Sequence, residues 1–223
     1  MAIVQVQTRH DVGGVSPLVS TFSVAPTSGN LMVATLVTTT AVTATFDTPA
    51  GWTMGRLENQ AMVLWKVSDG SETVQNFTWA GAPACRAFRV ELSGAHATTP
   101  IDSTGYTVFS GAVTSVACIT DAVAGFDGEY GIAMAGHNAS NGGGETASDS
   151  YTLMDTGNVR DIGASRVYVG GVGGSVTTTL GWTTAQAGRW IIASIRPPGG
   201  GGPPAVGANP TPKRYGRSRV LGR

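Results

Sequence analysis

Almost no window of this chain keeps a 3.6-residue apolar period for three turns, which removes most helix-based folds at once. Short alternating runs recur instead about every ten residues, between Gly, Pro, Asn and Asp signals, as in a sandwich or barrel. Residues 49–68, PAGWTMGRLENQAMVLWKVS, carry the pattern best. Trp52, Met54 and Leu57 give an apolar run broken by Thr53, Gly55 and Arg56, Glu58-Asn59-Gln60 turns the chain, and Met62 and Leu64 alternate on the return. The stretch reads as a hairpin, and its two tryptophans place it at the centre of a β-sandwich. The expected fold class is all-β: an antiparallel, jelly-roll-like β-sandwich with an extended C-terminal arm and roughly a dozen strands.

A chain of 223 residues can bury a real core without disulfide staples. Charged residues make up only 13%, about half the usual share. Thr, Ser, Ala, Val and Gly take their place, as strands with small polar residues on a wet face would require. Cys85 and Cys118 sit in apolar, strand-like contexts and read as buried free thiols. A disulfide between them stays open, because spacing alone cannot establish one. The first residues, MAIVQVQTRHD, hold no apolar signal-peptide core, and no run reaches the roughly 18 apolar residues of a bilayer span. A product made in the cytoplasm and free of membrane is therefore expected.

Further strands are expected at residues 2–8, 18–24, 31–38, 73–79, 85–92, 106–109, 113–119, 130–135, 151–154, 165–169, 176–182 and 189–195. The run 31–38 is mostly apolar and suits a strand covered on both faces. Residues 85–92 read as Phe88, Val90 and Leu92 inward, with Arg86, Arg89 and Glu91 largely on the other face. Residues 136–150 form the longest polar stretch, expected as an exposed loop. Three segments follow: a β-sandwich body at 1–196, a Pro/Gly hinge at 197–204 and a basic extended arm at 205–223. The hinge cannot join a sheet, since Pro fixes φ and Gly frees it. The arm cannot bury enough apolar surface to fold alone, so only a partner would order it.

Charge follows the same division. The net charge is zero, yet all 14 acidic residues precede Gly199. The body is left at −5, and the last 25 residues are at +5. Lys213, Arg214, Tyr215, Arg217, Arg219 and Arg223 are the candidate partner-binding residues. Five charges and one aromatic would bind nucleic acid only weakly and non-specifically, whereas Arg forks on an acidic protein surface pair carboxylates well. Protein docking is the favoured use.

No residue set demands a chemistry, so no catalytic residue, cofactor or metal is expected. His10, His96 and His137 are far apart and lack ligand spacing. Asp102, Asp121, Asp127, Glu129, Asp149 and Asp155 read as turn caps, not as a glycosidase pair facing one cleft. Residues 170–175, GGVGGS, lack the Lys-Ser/Thr of a phosphate loop, and no GxSxG motif is present. Trp52, Trp65, Trp79, Trp182 and Trp190 read mainly as core. Trp79 and Trp182, flanked by small residues and turns, are the candidate glycan-stacking pair.

Several short elements in order resemble a family of β-sandwich proteins from tailed phages and prophages of actinobacteria, some of them called minor tail proteins. They are Ala25-Pro26-Thr27-Ser28-Gly29-Asn30-Leu31-Met32-Val33-Ala34, Pro49-Ala50-Gly51-Trp52-Thr53, Leu64-Trp65-Lys66-Val67, Phe77-Thr78-Trp79, Pro100-Ile101-Asp102 and Trp190-Ile191-Ile192-Ala193-Ser194-Ile195-Arg196-Pro197. The resemblance covers residues 25–197 and leaves out the basic arm. It implies a non-enzymatic virion protein, in the tail or its tip, bound to other virion proteins and to copies of itself. Two alternatives stand beside it: a head (capsid) decoration protein, or a carbohydrate-binding module that touches a host-surface glycan.

Overall fold

The computed structural model describes residues 2–39, 43–81, 83–123, 125–137, 144–155, 161–167 and 174–199. Among them are fifteen strands and no helix. The first half of the chain holds β1 (Val4–Gly13), β2 (Leu18–Thr21), β3 (Leu31–Thr38), β4 (Thr45–Phe46), β5 (Thr53–Glu58), β6 (Ala61–Val67), β7 (Val74–Phe77), β8 (Trp79–Ala80) and β9 (Cys85–Ser93). The second holds β10 (Ile101–Val123), β11 (Tyr130–His137), β12 (Thr146–Ala147), β13 (Thr152–Asp155), β14 (Asp161–Val167) and β15 (Ser175–Ile195). The all-β, antiparallel expectation is borne out.

The first half forms a five-stranded sheet in the order β1-β9-β3-β6-β5, while β2 pairs β7 and β4 pairs β8. The second forms a sheet in the order β10-β15-β11-β14-β13, with β12 also on β15. The two large sheets face each other across a shared core, as a β-sandwich requires. Val33, Val37, Val63, Phe88 and Val90 meet Tyr130, Ile132, Met134, Ile191 and Ala193 there. Each sheet has a second core on its other face. Met32, Leu36, Met62 and Leu64 pack beneath Leu18, Phe46, Phe77 and Trp79. Ala133, Trp190 and Ile192 pack beneath Val116, Cys118, Val176 and Leu180. β3 thus lies between two cores, and all eight of its residues are buried, as its apolar run predicts. Each fully buried Leu, Val or Met there stabilises the fold by about 1.5–3 kcal/mol.

Several expectations need correction. The tryptophan hairpin is β5–β6, and β5 is the outermost strand of its sheet, so the centre belongs to β3 and β9. Residues 106–109 and 113–119 are parts of one strand, β10, and residues 176–182 and 189–195 are parts of β15. Arg86, Arg89 and Glu91 are all buried rather than on a wet face. Gly136 and His137 end the buried strand β11 instead of opening an exposed loop. Residues 138–143 and 168–173 lie outside the described residues.

β10 and β15 are long because they serve two layers. Residues 101–109 pair with 188–195 in the large sheet, and residues 115–119 pair with 177–181 beyond register breaks on both sides of Val113. The ribbon folds over there. Its outer part carries Val116 and Leu180 onto Trp190 and Ile192 of its inner part.

With that fold-over, the second half repeats the first strand for strand. β3 pairs with β6 and β9 as β11 pairs with β14 and β15: Leu31 faces Val67 and Leu92, and Tyr130 faces Val167 and Ile195. β1 pairs β9 with a bulge at Val6, and β10 pairs β15 with a bulge at Asp102. β5 bulges between Met54 and Arg56, and β13 between Leu153 and Asp155. Leu18 faces Phe77 as Val116 faces Leu180. Bulges at matched positions are strong marks of kinship, since bulges persist within families. The halves meet at matched positions. Thr35 and Met134 occupy the same place in their halves, and Thr35 Oγ1 lies 3.5 Å from Met134 Sδ.

Candidate functional site

Lys213, Arg214, Tyr215, Arg217, Arg219 and Arg223 lie outside the described residues. The place from which their segment departs is described in full. β15 ends at Ile195, and the next residue, Arg196, is held on every side. Its N–H donates to Pro100 O (2.7 Å), and its own carbonyl accepts from His96 N (2.9 Å). Its guanidinium donates through Nε to Asp102 Oδ1 (2.9 Å), and Nη2 stands 2.7 Å from the same oxygen. The guanidinium carbon lies 4.7 Å from the centroid of the Phe126 ring, a cation–π distance. Residues 94–100, which join the two halves, therefore also brace the root of hinge and arm.

The carboxylate that holds Arg196 belongs to a buried pair. Asp102 is the bulge residue of β10, and its Oδ2 accepts from Gly125 N (2.9 Å). Beside it, Glu129 is fully buried, and its Oε1 accepts from Phe126 N (3.0 Å). Burial first, then the charge and hydrogen bond of Asp102, push the Glu129 carboxyl up to about 7. Glu129 caps the turn before β11 through Phe126 N, as expected, whereas Asp102 departs from the turn-cap expectation. Asp102 lies inside a strand, and the two carboxyls join beneath a turn. Glu129 is 0% exposed, with Oε2 buried without a hydrogen-bond partner among the described residues, and it does not face a cleft as glycoside hydrolysis needs.

The glycan-stacking expectation for Trp79 and Trp182 is overturned. Each is 4% exposed. Trp79 Nε1 donates to Pro83 O (3.0 Å), and Trp182 Nε1 donates to Val113 O (2.9 Å). Trp182 stacks on Phe109 and His137, with centroids 5.7 and 5.3 Å away. Both side chains spend their faces and their N–H on the interior.

His10 stacks on Phe88 at 4.4 Å, and His96 Nδ1 accepts from Thr99 N (3.2 Å). Among the described residues, no group of three or more His, Cys, Asp or Glu could hold a metal ion. Cys85 and Cys118 are free and buried, as expected. Burial pushes the Cys85 thiol up to about 12 and raises Cys118 as well. Neither thiol should react with an aromatic disulfide reagent at pH 8 in the folded protein, and both should react in denaturant. Rapid labelling of the native protein would contradict this burial.

One signal could have exposed the repeat and its carboxylates. Thr27-Ser28-Gly29-Asn30 and Phe126-Asp127-Gly128-Glu129 precede matched strands, and their glycines have φ of 89° and 78°. Only glycine adopts such angles without strain. No protein-family model, curated protein or solved structure matches this chain.

Proposed function

We propose that this chain is a non-enzymatic structural protein of a phage virion, of the minor tail kind, anchored to neighbouring subunits by residues 205–223. One observation carries the reading: the braced root at Arg196, immediately before a Pro/Gly hinge and a wholly basic segment. A fixed root transmits load from an arm to a rigid body, and the hinge adds reach of about 3.3 Å per residue. The body is at −5 and the arm at +5, so copies of the chain attract one another through unlike parts. Repeated weak contacts become effectively tight when many copies assemble. The same anchor would serve a head decoration protein, and antibody labelling of purified particles separates tail from head.

The test is a chain ended at Pro198. It should remain folded and soluble, with its sheets complete, and be absent from purified particles. Normal incorporation of that truncation would remove the anchoring role of the arm.

A further inference from the structure

Internal repetition lets one half of the molecule show what the other lacks. In the second half, Arg196 fills a slot between Asp102 and Phe126. Strand register makes Ser93, Val6 and Thr27 the first-half counterparts of Arg196, Asp102 and Phe126. Ser93 and Thr27 are smaller than Arg196 and Phe126, which leaves the counterpart slot open. It is a cavity of about 320 Å³, lined chiefly by Val6, Gln7, Val24, Ala25, Thr27 and Glu91.

Its floor is an unusual group. Glu91 is 0% exposed. Oε1 accepts from Thr27 N (2.8 Å) and Asn30 Nδ2 (2.6 Å), and Oε2 accepts from Gln7 Nε2 (2.6 Å). Burial pushes this carboxyl up, but the hydrogen bonds outweigh it and hold the group below the ordinary range. The carboxylate is therefore ionised, and among the described residues no Lys, Arg or His makes an ion pair with it. Buried charges are normally paired. Gln7 Nε2 also donates to Val24 O (3.1 Å), so one neutral amide serves both acceptors at the floor. A guanidinium would offer the same donors together with the missing charge. Val6 and Val24, both exposed at the mouth, would cover its aliphatic stem.

We propose that this cavity receives an arginine side chain from the C-terminal arm of a second copy of the chain. In the second half an arginine already occupies the equivalent slot, held there by Asp102; in the first half Val6 stands at the Asp102 position and the carboxylate is supplied instead by Glu91, at the position of Ser194. The arm supplies Arg214, Arg217, Arg219 and Arg223 with no acid among them. The proposal rests on the anchoring role given above and adds the surface that receives the arm.

The test uses the full chain with those four arginines changed to alanine, so that its own arm does not compete. The isotopically labelled protein is titrated with a synthetic peptide of residues 205–223. Saturable shifts should appear at Val6, Gln7, Val24 and Thr27, and binding should weaken several-fold between about 50 and 500 mM salt. They should vanish with an alanine-substituted peptide and with Glu91→Gln in the receiver. Val24→Trp, at a position 67% exposed, should also abolish them by filling the mouth if Glu91→Gln does not fold. Shifts elsewhere, shifts that survive these changes, or an unchanged spectrum would overturn the pocket. Each of these outcomes leaves the Pro198 truncation as the separate test of the arm itself.

Discussion

Replacing Gly105 with alanine should cost about 3 kcal/mol or more, enough to unfold much of the protein at moderate urea. Gly105 lies in the inner part of β10, opposite Ile192. A Cβ placed there would stand 1.8 Å from the carbonyl oxygen and 2.8 Å from the carbonyl carbon of Ile119. Ile119 belongs to the outer part of the same strand, so one strand crosses over itself with backbone against backbone. No flexible side chain can move aside. Relief requires the two layers to part, which would expose Val116, Cys118 and Leu180 to water. Gly111, at the bend, is different: a Cβ there would meet nothing within 4 Å. Gly111→Ala should therefore stay within about 0.5 kcal/mol of the parent. Urea midpoints of the two variants decide the matter. Equal midpoints would mean that the ribbon does not fold over as described.

The fold-over also explains what the sequence concealed. Leu31–Thr38 was legible because a strand between two cores needs apolar residues on both faces, and this run supplies them. The 110–114 segment was not, because Ser110-Gly111-Ala112 resembles a turn between two strands while it serves as the bend in one. Tryptophans marked burial without marking position. Trp52 is buried because its indole meets the Phe77 ring edge-on and its Nε1 reaches Gln75 Oε1, although its hairpin is at the sheet edge. The arginines misled for a related reason. Period-two logic assigns a polar residue to water, but a guanidinium can be buried when its donors and its flat face find partners. Arg89 is buried chiefly through its flat face, 3.8 Å from the Phe22 ring centroid; only Nη2 donates, to Thr73 O (3.0 Å), while Nε and Nη1 have no partner among the described residues. Arg189 donates to Thr38 O (2.7 Å) across the interface of the halves. The repeat was hidden because it preserves register, bulges and one turn glycine rather than side chains. Thr35 matches Met134 and Val37 matches Gly136, pairs that no comparison of residue types would align. Close packing between the halves demands that difference. A Cβ on Gly136 would come within 2.7 Å of Val37 Cγ2, so two valines could not meet there. Of the carboxylates that serve the two matched turns, Glu91 was legible only as an outward-facing residue of a strand and Glu129 only as a turn cap. Their burial comes from the bulges and from residues distant in the chain.

The protein should be more stable at pH 5 than at pH 8, and Glu129 should account for most of the difference. Its folded carboxyl titrates at about 7, against an ordinary 4.5. A raised folded value means that the native state keeps a proton that the unfolded chain has already released. Below about pH 4.5 both states hold the proton and the contribution is complete. Between 4.5 and 7 stability falls as pH rises, by up to about 1.4 kcal/mol per unit, or about 3 kcal/mol in all. Above 7 both states are ionised and the loss levels off. Glu72 and Glu91 act in the opposite sense. Both are held below the ordinary range, Glu72 at about 2, so their contribution disappears as pH falls below 4.5. The stability profile should therefore peak near pH 5. Glu129→Gln keeps an acceptor for Phe126 N and removes the titration, so it should flatten the alkaline limb and leave the acid limb unchanged. Urea midpoints at pH 5 and pH 8 for parent and variant measure this directly. A parent midpoint that is the same at both pH values would mean that Glu129 ionises normally. A slope that survives in Glu129→Gln would assign it to another group. If the expected pattern holds, Glu129 loses its proton beside Asp102, the residue that clasps Arg196.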